Sequence, residues 1–288
     1  MGEKWKELYK TEDLKKLQGI ELEMLKDFLK VCEKLKINGI LYGGTLLGAV
    51  KYKGFIPWDD DVDLALLRDD YECFIKEADK YLDDKYVIQT PYNEPKSPFP
   101  YAKMRLKGTK YMDYPVRNLP IESGIYIDIY PIDKIPDDEE KRQQQFNEVR
   151  KLMRLYVNRQ RPTWDMEPNT IKGFLRKTAK WTLHKYAKLH SQQFFIEKID
   201  RCMKRYNGEK TKRYAALNSP NYDNIYLNLL PLEKGIFEGV EVNLPGDYRT
   251  HLKMRYGNID ELPPEEERYG HEPYILDFGK YEKGNAYL

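Results

Sequence analysis

The sequence predicts a mixed α/β fold, on three observations. Helical and strand periodicities alternate over the first 136 residues, glycines and prolines punctuate the changes, and no apolar run approaches the roughly eighteen residues of a membrane span. A chain of 288 residues can bury a substantial core. Its 33% charged residues come with 24 tyrosines, which points to an ordered protein with a polar surface. A net charge of +2 argues against gripping a nucleic-acid backbone, so no nucleic-acid partner is expected. The first sixteen residues lack the apolar run of a signal peptide, which predicts a cytoplasmic protein, soluble or peripheral at the inner membrane face. Cys32, Cys73 and Cys202 are scattered and read as reduced core thiols, and the four histidines show no zinc spacing.

Residues 12 to 36 return apolar side chains every three or four positions, as an amphipathic helix does. "INGILYGG" reads as a strand entering a glycine turn, and Thr45 as the cap of a short helix ending at Lys51. "DVDLALL" is the next strand, with Val62, Leu64 and Leu66 on one face and Asp61, Asp63 and Ala65 on the other. Residues 70 to 82 read as a helix, "YAKMRLKGT" and "GIYIDIYPID" as strands. Beyond Asp137 the pattern becomes helical, over 137–161 and 169–206, separated by "PTWDMEP". The last part returns to a strand-like "GIFEGVEVNLP" and a helical "GDYRTHLKMRYG". The division expected is a catalytic core over 1–136, a helical insertion over 137–210, and a segment over 211–288 that returns to the active site.

The chemistry concentrates in "GGTLLGAVKYKGFIPWDDDVDLAL". Asp61 and Asp63 leave the same side of a strand, close enough to share a cation, and oxygen ligands of this kind suit Mg²⁺ or Mn²⁺. An EF-hand starting at Asp59 fails, because Leu64 stands where the loop needs glycine, and no Walker-type loop is present. Two metal sites remain: the Asp-x-Asp of sugar-nucleotide glycosyltransferases and the strand Asp-x-Asp of nucleotidyltransferases. The order of strand, Gly43-Gly44-Thr45 turn, helix and aspartate strand matches the second. Asp128, a charge among apolar strand residues, is the candidate third carboxylate or base, with Asp133 its competitor. Lys103, Arg105 and Lys107 share a strand face and read either as a phosphate-neutralising row or as a solvated face.

The first motif, with "YAKMRLKGT", "GIYIDIYPID" and the late "YGNIDELPPEEERYGH", resembles the LicD family of phosphotransferases, relatives of the fukutin group. The resemblance implies a nucleotidyltransferase-like core sheet and transfer of phosphocholine from CDP-choline to a cell-surface glycan, such as a teichoic acid or lipopolysaccharide, or to its lipid-linked precursor. It also implies that Asp61, Asp63 and Asp128 hold the metal, that Gly43, Gly44 and Thr45 form the phosphate turn, and that Arg268 and His271 reach the donor. A choline cargo has no hydrogen-bond donors, so Trp58, Tyr126 and Tyr130 are candidates for the aromatic faces around it. Residues 171–190 combine six Lys or Arg residues with large apolar side chains. Packed on the core, they form an ordinary helix with a solvated basic face, the simpler expectation. Laid on an anionic membrane, they form an interfacial helix that meets a lipid-linked acceptor.

Overall fold

The computed structural model describes residues 11–160, 170–218, 225–271 and 273–282. The "PTWDMEP" separator lies outside these residues. Helix α1 (Thr11–Leu35) buries Leu17, Ile20, Met24, Leu25, Phe28, Val31 and Cys32, the stripe expected of an amphipathic helix, and Lys36 ends it with a left-handed φ of 58°. Strand β1 (Ile40–Leu41), helix α2 (Gly43–Lys51) and strand β2 (Asp63–Leu67) follow. Helix α3 (Arg68–Glu77) starts directly off β2 and is continued by a 3₁₀ turn over 78–80. Strands β3 (Tyr86–Gln89), β4 (Ala102–Leu106), β5 (Lys110–Met112) and β6 (Tyr126–Lys134) complete the first half.

The helical middle is three helices where the sequence suggested two: α4 (Glu139–Gln160), α5 (Ile171–Lys188) and α6 (Gln192–Met203). The expected 169–206 helix breaks near His190, because the Ser191 side chain accepts a hydrogen bond from the Phe194 amide and so caps a new helix. Short strands β7 (Tyr214–Ala215) and β8 (Ile225–Tyr226) lead to the hairpin β9 (Glu233–Phe237) and β10 (Val240–Leu244). Glu238 and Gly239 turn that hairpin with φ of 48° and 77°. Helix α7 (Tyr248–Tyr256) and strand β11 (Ile275–Asp277) close the chain.

The main sheet runs β3-β4-β6-β2-β1-β10-β9, with β7 and β8 attached to the far end of β6. Strands β2 and β6 are parallel, so Asp63 lies level with Asp128. Strand β10 pairs parallel to β1, which places the C-terminal segment in the same sheet as the first motif. One face of the sheet packs Leu64, Leu66, Met104 and Ile127 against α1 and α3, and the other packs Ala65, Tyr130 and Ile132 around Tyr42 and Tyr226. A further core joins α4 and α6 through Phe146, Tyr156, Phe195 and Ile199.

Candidate active site

The site lies at the N-terminal ends of the parallel pair β2 and β6, where α2 also begins. Gly43 has φ +56°, and a Cβ there would run into Oδ2 of Asp63. A Cβ on Gly44 would approach Oδ2 of Asp59 to 2.8 Å. Both glycines are therefore required, because carboxylates lie directly against the backbone of the turn. Thr45 is buried, and its Oγ1 accepts a hydrogen bond of 2.8 Å from the Asp63 amide. It fastens β2 to the start of α2 and faces inward, which corrects the expectation that it touches a phosphate.

Asp59, Asp61, Asp63 and Asp128 thus meet in one acidic pocket. Burial comes first, then mutual repulsion: Asp63 is pushed well above its usual carboxylate range by burial and by Asp61, Asp128 and Asp59. Asp59 is raised in the same way, and Asp61 is pushed up to about 6. Asp60 differs. Burial opposes its charge, but it accepts hydrogen bonds from Tyr111 Oη at 2.9 Å and from the His271 amide at 2.7 Å, and it is held below its ordinary value.

His271 reaches the site because β11 pairs with β5, folding the late motif back over the aspartates. Its Nδ1 lies 3.1 Å from Asp60 and 3.4 Å from Asp61, and the hydrogen bond to Asp60 outweighs burial to raise the imidazole to about 10. Gly270 passes so close that a Cβ would sit 2.5 Å from Oδ1 of Asp60. The Arg268 guanidinium lies 5.8 Å from the Trp58 ring, and its Nε donates to the Pro263 carbonyl.

Asp133 is not in this site. It is fully buried at the other end of β6, bound by the Arg68 guanidinium and by Asn207 Nδ2 at 2.7 Å. This geometry removes it as the competing third carboxylate. Asp128 remains, with Lys103 Nζ bonded to Oδ1 and Tyr130 Oη donating to Oδ2 at 3.2 Å.

Lys103 and Arg105 correct the idea of an open basic row. Both faces of β4 are buried, Lys103 being 1% exposed and Arg105 2%. Arg105 donates to Gln89 and to the Gly124 carbonyl at 2.7 Å. The Tyr126 ring is likewise occupied, with Lys103 Nζ 3.4 Å from its centre, and Tyr130 is packed between Tyr42 and Tyr101. Neither tyrosine offers a free face to a choline group. Trp58 does border open space: a cavity of about 470 Å³ lined by Trp58, Tyr52, Tyr256, Leu47, Ile56 and Glu267. Trp58 immediately precedes Asp59, so the cavity borders the segment that carries the aspartates.

The sequence reading missed Glu21 and Asp113. Glu21 lies on the buried stripe of α1, where spacing alone would place an apolar residue, and that mismatch was the available signal. Its Oε2 is buried without a hydrogen-bond partner among the described residues, and burial together with Asp61, Asp60, Asp59 and Asp128 holds its pKa well above the usual 4.5. Asp113 follows β5 and is raised by burial, with Lys103 and His271 opposing.

Glu21 carries a pH prediction. Above pH 4.5 the unfolded chain releases this proton while the folded protein retains it, so the group costs increasing stability as pH rises toward the folded value. Glu21→Gln removes that cost. The variant is expected to melt a few degrees above wild type at pH 8, the gain vanishing near pH 4.5. A lower Tm at pH 8 contradicts a protonated Glu21.

Among the described residues no three His, Cys, Asp or Glu side chains are already closed around a cation position. The donor set nevertheless fits a hard divalent cation: the half-buried carboxylates of Asp61 and Asp63 repel one another, and the Asp63 side chain makes no hydrogen bond or ion pair among the described residues.

Residues 36–154 match the family model described as LicD/FKTN/FKRP, nucleotidyltransferase domain. The chain is 28% identical over 268 residues to the lipopolysaccharide cholinephosphotransferase LicD of Haemophilus influenzae, covering 91% of this chain and 98% of that protein. Uncharacterized proteins of Rickettsia prowazekii and Rickettsia typhi are each 40% identical over 48 residues, 17% of this chain. The matched domain contains the glycine turn, β2 and β6, and the long match extends the likeness over nearly the whole chain. Residues 36–154 therefore carry a domain of the LicD/FKTN/FKRP nucleotidyltransferase type, and the rest of the chain resembles LicD.

Proposed function

We propose that this protein transfers phosphocholine from CDP-choline to a hydroxyl of a cell-surface glycan or its lipid-linked precursor, using Mg²⁺ or Mn²⁺ held by Asp61, Asp63 and Asp128. The observation that carries the reading is the partly buried, mutually repelling carboxylate group against the Gly43-Gly44 turn, an arrangement whose charge calls for a cation. A bound divalent cation would neutralise the donor pyrophosphate and polarise it toward attack. The acceptor hydroxyl attacks the choline-bearing phosphorus, the bond to CMP breaks, and the acceptor proton passes to a carboxylate of the cluster. Lys103 fixes Asp128 from behind, and Thr45 fixes the Asp63 backbone. His271, bound to Asp60, places a cationic ring at the rim, where the negative donor enters.

The choline head would occupy the cavity beside Trp58. Trp58, Tyr52 and Tyr256 supply aromatic faces and Glu267 a carboxylate, which suits a cation without hydrogen-bond donors. A donor panel tests this reading. With Mg²⁺, CMP release is expected from CDP-choline at lower KM than from CDP-ribitol. Trp58→Ala is expected to raise the CDP-choline KM about 2- to 30-fold, the range of one cation–π contact, and to leave the CDP-ribitol KM unchanged. Equal effects on both donors would remove choline from this cavity. Cleavage of UDP-sugars with CDP-alcohols untouched would favour a glycosyltransferase.

A further inference from the structure

Helix α5 differs from every expectation of a core-packed helix. Its side toward α4 is short: Leu183 is half-buried, His184 hydrogen-bonds the Asn158 carbonyl at 2.7 Å, and Ala187 is the buried residue of the helix. The opposite face carries the large apolar side chains. Ile171, Phe174, Leu175 and Trp181 recur at helical spacing, Leu189 continues the row just past the last turn, and all point into solvent. Their exposures run from 54% for Trp181 to 83% for Ile171. A soluble helix normally hides such residues and shows its charges.

The charges frame this face. At about 100° per residue, Lys177 and Lys188 border the apolar row on one side and Lys172 on the other, Lys185 lies within the row, and Arg176 and Lys180 sit farther round toward the opposite side, while no Asp or Glu occurs between residues 171 and 190. The Thr170 hydroxyl caps the helix by accepting from the Gly173 amide at 3.0 Å, so the element is defined at its start. No described helix is long and apolar enough to cross a membrane.

We infer that α5 is a docking helix that lies in the plane of an anionic lipid bilayer, inserting Ile171, Phe174, Leu175, Trp181 and Leu189 while its basic residues contact lipid phosphates. The uniform positive charge selects this occupant: a second copy of α5 would bring two basic faces together, and a neutral surface would leave six cations unmatched. Membrane docking is independent of the phosphotransfer reading, because α5 packs on α4 and contributes no residue to the acidic pocket.

Flotation of the full-length protein with vesicles tests it. Binding is expected to vesicles containing about 30 mol % phosphatidylglycerol, not to phosphatidylcholine alone, and to weaken in high salt. Lys177→Glu/Lys180→Glu/Lys185→Glu should lower partitioning at least about tenfold, and Phe174→Ser/Leu175→Ser should lower it even at low salt. CMP release from a soluble donor should not change in either variant, which separates this test from that of the enzymatic activity. Equal binding to neutral vesicles, or binding indifferent to both sets of substitutions, overturns the inference. So does concentration-dependent self-association that Phe174→Ser/Leu175→Ser abolishes, since a second copy would then be what covers the face.

Discussion

Asp63→Asn should eliminate measurable turnover while leaving the metal-free protein at least as stable as wild type. Residues that merely orient metal ligands typically cost 10- to 100-fold in affinity or activity when changed, so loss of a ligand itself should exceed about a hundredfold. The stability half of the prediction rests on electrostatics. Asp63 is half-buried, raised by desolvation and by Asp61, Asp128 and Asp59, and its side chain makes no bond among the described residues that asparagine would forfeit. Removing its charge therefore relieves repulsion. Asp61→Asn should inactivate equally, with less gain in stability, because Asp61 also faces His271 at 3.4 Å. Mg²⁺ should raise the Tm of wild type through preferential binding to the folded state and should not raise that of Asp63→Asn. A Mg²⁺-dependent Tm shift or turnover surviving in both variants would remove these aspartates as ligands.

Lys103→Met should be the most destabilising single change in the sheet. The ammonium is buried beneath Phe99, Tyr101 and Tyr126 and bonded to Asp128. Burial alone pulls its pKa down, with Asp128 opposing, so the pair exists only because each partner compensates the other. Deleting one partner leaves a carboxylate buried without its cation, a loss of about 3–5 kcal/mol. Urea denaturation of Lys103→Met, Asp128→Asn and the double variant checks this. The double variant should recover much of the loss, because no uncompensated charge remains. A loss under about 1 kcal/mol in Lys103→Met would mean that the pair is hydrated and contributes as little as a surface ion pair.

The first motif was the most legible part of the sequence, because its residues are constrained locally. Two glycines beside carboxylates, a threonine bonding a strand amide, and aspartates at alternate strand positions each leave a short-range mark. The mixed α/β class followed for the same reason, since each period is visible within a dozen residues. What the sequence concealed depends on contacts between distant elements. Strand period alone made Lys103 and Arg105 look solvent-facing, but β3 and β6 flank β4 and both its faces are covered. Asp128 and Asp133 looked alike until Arg68 and Asn207 were seen to bind the second. Tyr126 and Tyr130 were plausible around a quaternary cation by proximity in sequence, and packing with Lys103, Tyr42 and Tyr101 excludes them. Glu21 precedes Asp61 by forty residues and enters the site only because α1 packs over the sheet. The break before α6 turned on a single serine cap. For α5, the basic and apolar composition was evident, but which face α4 covers was not.

The most direct test of the central claim is ³¹P NMR of the enzyme with CDP-choline, Mg²⁺ and a glycan acceptor. The account predicts that the two pyrophosphate resonances disappear together, giving CMP and a new phosphodiester in equal amounts with wild type and neither with Asp63→Asn. An intact CDP-choline spectrum, alongside UDP release from a sugar nucleotide under the same conditions, would contradict it.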